Sequence, residues 1–304
     1  EPVELIFSNY ATEKHDWSLA MKGFMEQVSK RTNGGITWRE YYAGALGGAY
    51  DVLYLGAKGT ADVVVYFPGY YPGIFRLSRV GELPYTGEKM DARIKAYLDL
   101  TEELPQIRNE FAETNLKMIA PLFSNLPALA MSEKRIDKLA DFKGVKIGSV
   151  GHTLQLLEQW EAVPVEVSYG EVYESTATGV VEGTWGTPLS SIVIIGVHEL
   201  SKYFIDVGTG PAAAGYAAIN LDTYNKLPSE WQQIIDEESA AIIPTYTELR
   251  MDGTRRGIKT VVEAGGTEIY ALPDALKAEL KEIAAQAVFD TWVGEMTDAG
   301  IAKS

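Results

Sequence analysis

Short apolar runs and helical stripes take turns along this chain. Val3-Glu4-Leu5-Ile6-Phe7 predicts a first strand that ends at Ser8-Asn9-Tyr10. From Trp17 to Arg31 the apolar residues Leu19, Phe24, Met25 and Val28 recur at helical spacing, and Asn33-Gly34-Gly35 stops the helix. Ile36 to Tyr42 predicts a second strand. The turn Ala43 to Gly48 then leads into a helix ending near Gly56 or Gly59. Ala61 to Phe67 is an unbroken apolar run, the pattern of a buried parallel strand. This β-α-β-α-β order predicts a parallel sheet with right-handed crossovers.

Further along, Glu88 to Asn115 is helical and charged, interrupted at Pro105, and leads to a strand from Lys117 to Leu122. Val165 to Phe204 holds a short β-branched run, a helix-like segment from Tyr169 to Val180, the turn Glu182 to Pro188 and a second apolar helix-like segment. Ala212 to Asn220 reads as a strand. Ser229 is a plausible N-cap for a long helix reaching toward Glu263, and Pro244 is expected to kink or split it. Gly265-Gly266 ends that segment, Glu268 to Leu272 predicts a last strand, and Pro273 to Gly294 a terminal amphipathic helix.

Composition narrows the function classes. The 304 residues are 46% hydrophobic and 23% charged, as in an ordinary globular protein able to bury a large core. A formal net charge of −15 argues against nucleic acid or anionic lipid as partners, because those contacts draw on clustered Lys and Arg. The chain has no cysteine, which excludes disulfides, thiolate catalysis and cysteine-based zinc sites. Its three histidines, His15, His152 and His198, are too scattered for a metal site, so no metal or cofactor is expected. No run reaches the roughly 18 to 20 apolar residues of a membrane span. The start at Glu1, running directly into a strand, is what signal-peptide removal would leave.

Several stretches resemble the solute-binding proteins of tripartite ATP-independent periplasmic (TRAP) transporters, the DctP-like family. Gly179-Val180-Val181-Glu182-Gly183, Pro188-Leu189-Ser190 and Lys202-Tyr203 match the start, middle and end of that family's signature. Pro68-Gly69-Tyr70-Tyr71-Pro72-Gly73 with Leu83-Pro84-Tyr85 fits a subgroup, and Asp141-Phe142-Lys143-Gly144-Val145-Lys146-Ile147 resembles the segment entering the second lobe. The resemblance covers nearly the whole chain. It implies an α/β, two-lobed periplasmic-binding-protein fold, class II-like, with mixed sheets flanked by helices and a long helix spanning both lobes. The expected lobes are 1–124 plus 208–250 and 125–207 plus 251–304, with the ligand cleft between them. The implied role is that of a periplasmic monomer, not an enzyme, that captures a small solute by hinge closure and delivers it to TRAP membrane permease subunits.

The family's carboxylate-pairing arginine falls at Gly148, and the Gln-Glu-Asn of its turn is replaced by Thr184-Trp185-Gly186-Thr187. An uncharged ligand, an anion held by backbone donors at Gly148 to Thr153, or another arginine reaching in would each account for that loss. Aromatics at strand ends (Tyr10, Phe67, Tyr70, Tyr71, Trp185 and Tyr216) are candidate lining, because open α/β sheets place their ligand crevice there. Trp185 is the foremost, able to stack on a ring. Asn9, Asn125, Gly148, His152 and Thr187 complete the candidate set. The expected ligand is a small aromatic or otherwise hydrophobic solute, neutral or a weak acid. Two other readings stay open: an ordinary carboxylate held by backbone donors, and an enzyme acting on a small organic acid.

Overall fold

The computed structural model describes residues 2–125, 127–210, 213–298, 300 and 301. The first part of the chain runs β1 Val3–Asn9, α1 Asp16–Arg31, β2 Ile36–Tyr41, α2 Val52–Ala57 and β3 Val63–Tyr66. It continues with α3 Met90–Glu103, α4 Pro105–Glu113 and β4 Leu116–Phe123. The middle holds β5 Leu129–Met131, β6 Lys146–Ser149, α5 His152–Gln159, β7 Val163–Glu166, α6 Val172–Ala177, β8 Gly183–Thr184, α7 Leu189–Ile194 and β9 Tyr203–Asp206. The last part is β10 Ala214–Asn220, α8 Leu221–Lys226, α9 Ser229–Ala264, β11 Glu268–Ala271 and α10 Asp274–Asp298.

Among the described residues eleven strands form two mixed sheets, ordered β2-β1-β3-β10-β4 and β11-β9-β5-β8-β6-β7. In the first, β1 lies parallel to β2 and β3, as the opening β-α-β-α-β pattern predicts. β10 inserts antiparallel between β3 and β4. All seven residues of β10 and all four of β3 are buried, which is why both read as continuous apolar runs. Ala212, the expected start of β10, lies outside the described residues.

Each sheet builds its own core. Phe7, Phe24, Tyr66, Phe111 and Tyr216 belong to the first; Phe142, Trp160, Trp185 and Leu280 belong to the second. The helix α9 runs 36 residues without interruption, roughly 54 Å at 1.5 Å per residue. It packs against α1 and β4 of the first half and against α7 of the second, so one rod supports both halves. The expected split at Pro244 does not occur. Pro244 and Ala240 are both exposed, so water can satisfy the carbonyl that loses its intrahelical donor.

Candidate functional site

The C-terminal ends of strands from both sheets converge on a cavity between the halves. Tyr10 and Ala11 follow β1, Phe67 and Tyr70 follow β3, and His15 and Trp17 open α1. Opposite them stand Ser149 and Val150 at the end of β6, Val167 and Tyr169 after β7, and Thr184 to Pro188 around β8. Ser191 of α7 and Arg250 of α9 complete one wall, with Ser124 and Ala213 at the crossing between sheets. Rings dominate the first half: Tyr10 meets Trp17, Tyr70 and Tyr169 edge-on at 6.0, 5.9 and 6.1 Å, and Phe67 meets Tyr70 at 5.5 Å.

Direct bonds join the halves around this space. The Tyr169 amide donates to the Tyr70 hydroxyl at 3.0 Å, and the Tyr50 hydroxyl to Glu166 at 2.7 Å. Ser190 donates to Asp16 at 2.9 Å, and His15 Nε2 lies 2.9 Å from Ser191 Oγ.

The hydrogen bonds at His15 settle its protonation. Its Nδ1 caps α1 by accepting from the Trp17 amide at 3.1 Å, while burial and the nearby Arg250 charge hold its pKa well below the ordinary imidazole value. A neutral ring with Nδ1 accepting carries its proton on Nε2, so His15 donates to Ser191. Ser191 Oγ also accepts from Arg250 Nη1 at 3.4 Å. With both lone pairs engaged, the Ser191 hydroxyl hydrogen is left to donate into the cavity.

Arg250 is 1% exposed and spans both halves. Nη1 donates to Asp16 at 2.8 Å and to Ser190 at 3.3 Å, and Nε donates to the Tyr246 hydroxyl at 3.2 Å. Among the described residues Nη2 makes no hydrogen bond. Close approach to α9 depends on two glycines. A Cβ on Gly253 would stand 2.8 Å from Asp16 Oδ1, and one on Gly257 would stand 3.3 Å from the Leu189 carbonyl.

Three further buried groups in the lining can donate and have no partner among the described residues: Ser124 Oγ, Tyr169 OH and Trp185 Nε1. No carboxylate lines the cavity among the described residues. Asp16, bonded to the lining residue Arg250, is occupied by it and by Ser190. The arrangement suits a flat or apolar body that presents hydrogen-bond acceptors toward α7 and α9.

Of the residues expected at the site, Tyr10, Phe67, Tyr70, Trp185 and Thr187 line the cavity. The other six do not. Asn9 accepts from the Ala11 amide and donates to Ser18, fixing the turn after β1. Tyr71 points the other way and donates to the Ala49 carbonyl at 2.5 Å. Asn125 donates to Thr254 of α9. Gly148 faces Val167 and Val181, while its neighbours Ser149 and Val150 reach the cavity. His152 is sealed beside Arg79 at 3.5 Å. Tyr216 is wholly in the first core and donates to the Ser78 carbonyl at 2.9 Å.

The start of α5 is poorly placed as an anion cradle. Thr153 Oγ1 donates to the Val150 carbonyl, Ser149 Oγ to the Trp185 carbonyl, and the Glu82 carboxyl already lies 3.1 Å from where a Gly151 Cβ would be. His15, Trp17, Ser124, Tyr169, Ser191 and Arg250 are lining residues that the sequence reading did not single out. Only Arg250 carried a usable signal: Arg-x-x-Gly-x-x-x-Gly in mid-helix, where each glycine costs roughly 0.5–1 kcal/mol relative to alanine and so marks a close contact.

Residues 7–293 match the family described as bacterial extracellular solute-binding protein, family 7. A solute-binding protein of Chromohalobacter salexigens is 23% identical over 188 residues, which is 61% of this chain and 55% of that protein. A TRAP solute binding protein from Rhodoferax ferrireducens T118, solved with copurified benzoate, superposes with a TM-score of 0.89 at 25% identity, covering 98% of this chain and 93% of that one. A TRAP periplasmic solute binding protein from Sulfitobacter sp. NAS-14.1, with bound β-D-galacturonate, gives 0.86 at 22% identity over 97% of each chain.

Proposed function

The chain belongs to the family 7 bacterial extracellular solute-binding proteins of TRAP type, and from that membership we propose that it captures one small, single-ring organic acid in the cavity beside Arg250. The observation that carries the proposal is the pairing of aromatic walls with buried donors and no competing carboxylate. An acid group placed at Arg250 Nη2 and Ser191 would satisfy both, and Ser124, Tyr169 and Trp185 stand ready for the remaining acceptors.

Size supports a small ligand. The cavity offers about 60 Å³ to water centres, and one water needs roughly 10–15 Å³ on that measure, so the space is about five waters, the bulk of one small ring. The benzoate bound by the Rhodoferax relative fits this description better than the hydroxyl-rich galacturonate bound by the Sulfitobacter one. Asp16 already balances the Arg250 charge, which favours a monoanion or a neutral ring over a dianion.

Capture on this reading is a hinge closure of two lobes, 1–124 with 208–250 against 125–207 with 251–304. The solute stabilises the closed state by touching both. The protein acts as a monomer in the periplasm, leaves the solute chemically unchanged and passes it to TRAP membrane permease subunits. Titration calorimetry with benzoate, galacturonate and succinate tests the proposal: one-to-one benzoate binding with the other two weaker supports it. Galacturonate or succinate binding more tightly than benzoate would refute it.

A further inference from the structure

Behind the cavity a second polar cluster is sealed where the two cores meet. The short turn Ser78–Glu82 is wedged there, with Val80 packed against both cores and Leu83 inside the second. Glu82 is fully buried, and neither carboxyl oxygen has a hydrogen-bond partner among the described residues. Arg79 Nε stands 3.6 Å away, too far for a hydrogen bond, while Arg79 Nη1 is 3.3 Å from Glu295 of α10. One guanidinium therefore faces two carboxyls. On its other side Arg79 Nη2 lies 3.5 Å from Nδ1 of His152, which is 1% exposed and has no partner at Nε2 among the described residues.

The remaining neighbours add one further cation, Arg93. Tyr97 of α3 and Tyr216 of β10 also face Glu82, and Arg93 of α3 spends its Nη2 on the Gly81 and Leu83 carbonyls at 2.8 and 3.1 Å. Glu82 Oε2 rests against Gly151 of the second half, and Gly69 of the first half lies beside it. Parting the halves would let water reach both Glu82 and His152.

We infer that Glu82 and His152 form a proton-compensated pair, so that closing the halves over a solute moves one proton from His152 to Glu82. The inference rests on the closure reading above. Burial raises the Glu82 carboxyl from 4.5 to about 7, against the opposing pull of Arg79. Burial, reinforced by Arg79, lowers the His152 imidazole from 6.5 to about 3. Glu82 alone favours the closed form at low pH, an advantage lost as pH rises toward about 7. His152 alone favours it above pH 6.5, an advantage lost as pH falls. Between about pH 4.5 and pH 6.5 one group releases the proton that the other takes up, and solute affinity stays level.

The test is urea unfolding and benzoate calorimetry from pH 5 to pH 8 on the full chain, with Glu82→Gln, His152→Gln and the double variant. The wild type should hold its benzoate affinity within about threefold between pH 5 and 7. His152→Gln should lose about tenfold or more as pH rises over that interval, Glu82→Gln about tenfold or more as it falls, and the double variant should stay level. Slopes of opposite sign cannot arise from lost packing, which acts alike at every pH. Parallel slopes in the two single variants would overturn the inference. Opposite slopes in unfolding with none in benzoate affinity would overturn the link to closure. Benzoate failing to bind the wild type would sink the reading of the cavity instead, and the unfolding slopes would still decide the pair.

Discussion

Arg250 Nη1 donates to Asp16 Oδ2 at 2.8 Å, and both side chains are 1% exposed although 234 residues separate them. The pair ties the long helix to the start of α1 and leaves Nη2 without a hydrogen bond among the described residues. It also fixes the net charge that a ligand meets. Asp16→Asn should therefore tighten binding of benzoate by about tenfold while leaving a neutral ring such as benzamide unchanged, and should lower stability by about 3–5 kcal/mol because Arg250 stays buried without its partner. Calorimetry with both ligands, beside urea unfolding, checks each part.

Trp185 packs against Trp160 with ring centroids 5.1 Å apart, so its ring serves the second core as well as the cavity. Trp185→Phe keeps an aromatic ring in the core but removes the indole N–H together with part of the ring's bulk. Benzoate affinity should fall by about 1.5–3 kcal/mol, the worth of a hydrogen bond to a charged group. Trp185→Ala should weaken binding by more than about tenfold and cost about 3–5 kcal/mol of stability. Unchanged affinity in both variants would remove Trp185 from the site.

Gly253→Ala reverses the usual expectation for a helix. Alanine is the better helix former by about 1 kcal/mol, yet its Cβ would press on Asp16 at 2.8 Å. The net result expected in urea unfolding is a loss of about 1–3 kcal/mol, as for other overpacked sites. Gly23→Ala, on the open surface of α1, should stabilise instead.

The sequence made the first half legible and the second only in outline. Val63 to Tyr66 could be read because all four residues are buried, and α1 because its stop is a glycine pair. β8 is two residues long, Gly183 and Thr184, too short to show any period, and β5 is three. At the site the strand-end aromatics followed from the topology of open sheets. The Arg250–Asp16 pair did not, since no local pattern joins residues that far apart; the glycines at 253 and 257 were its one trace. Tyr71 and Tyr216 lie close to the lining residues but belong to the first core; Tyr216 is directed there by the register of β10 against β3, and Tyr71 by the turn that follows β3.

His15 supplies a pH signature. Its imidazole is held well below 6.5 by burial and then by Arg250, so the stability it contributes is present above about pH 6.5 and lost as pH falls below it. Between pH 7.5 and 5 the stability difference between wild type and His15→Gln should shrink by roughly 1–2 kcal/mol. Denaturant midpoints at the two pH values measure it.

The most direct test of the central claim is mass spectrometry of the small molecule that the purified protein releases on denaturation. The expected result is one single-ring acid, near one equivalent per chain. A sugar acid or an open-chain dicarboxylate in that amount would contradict it.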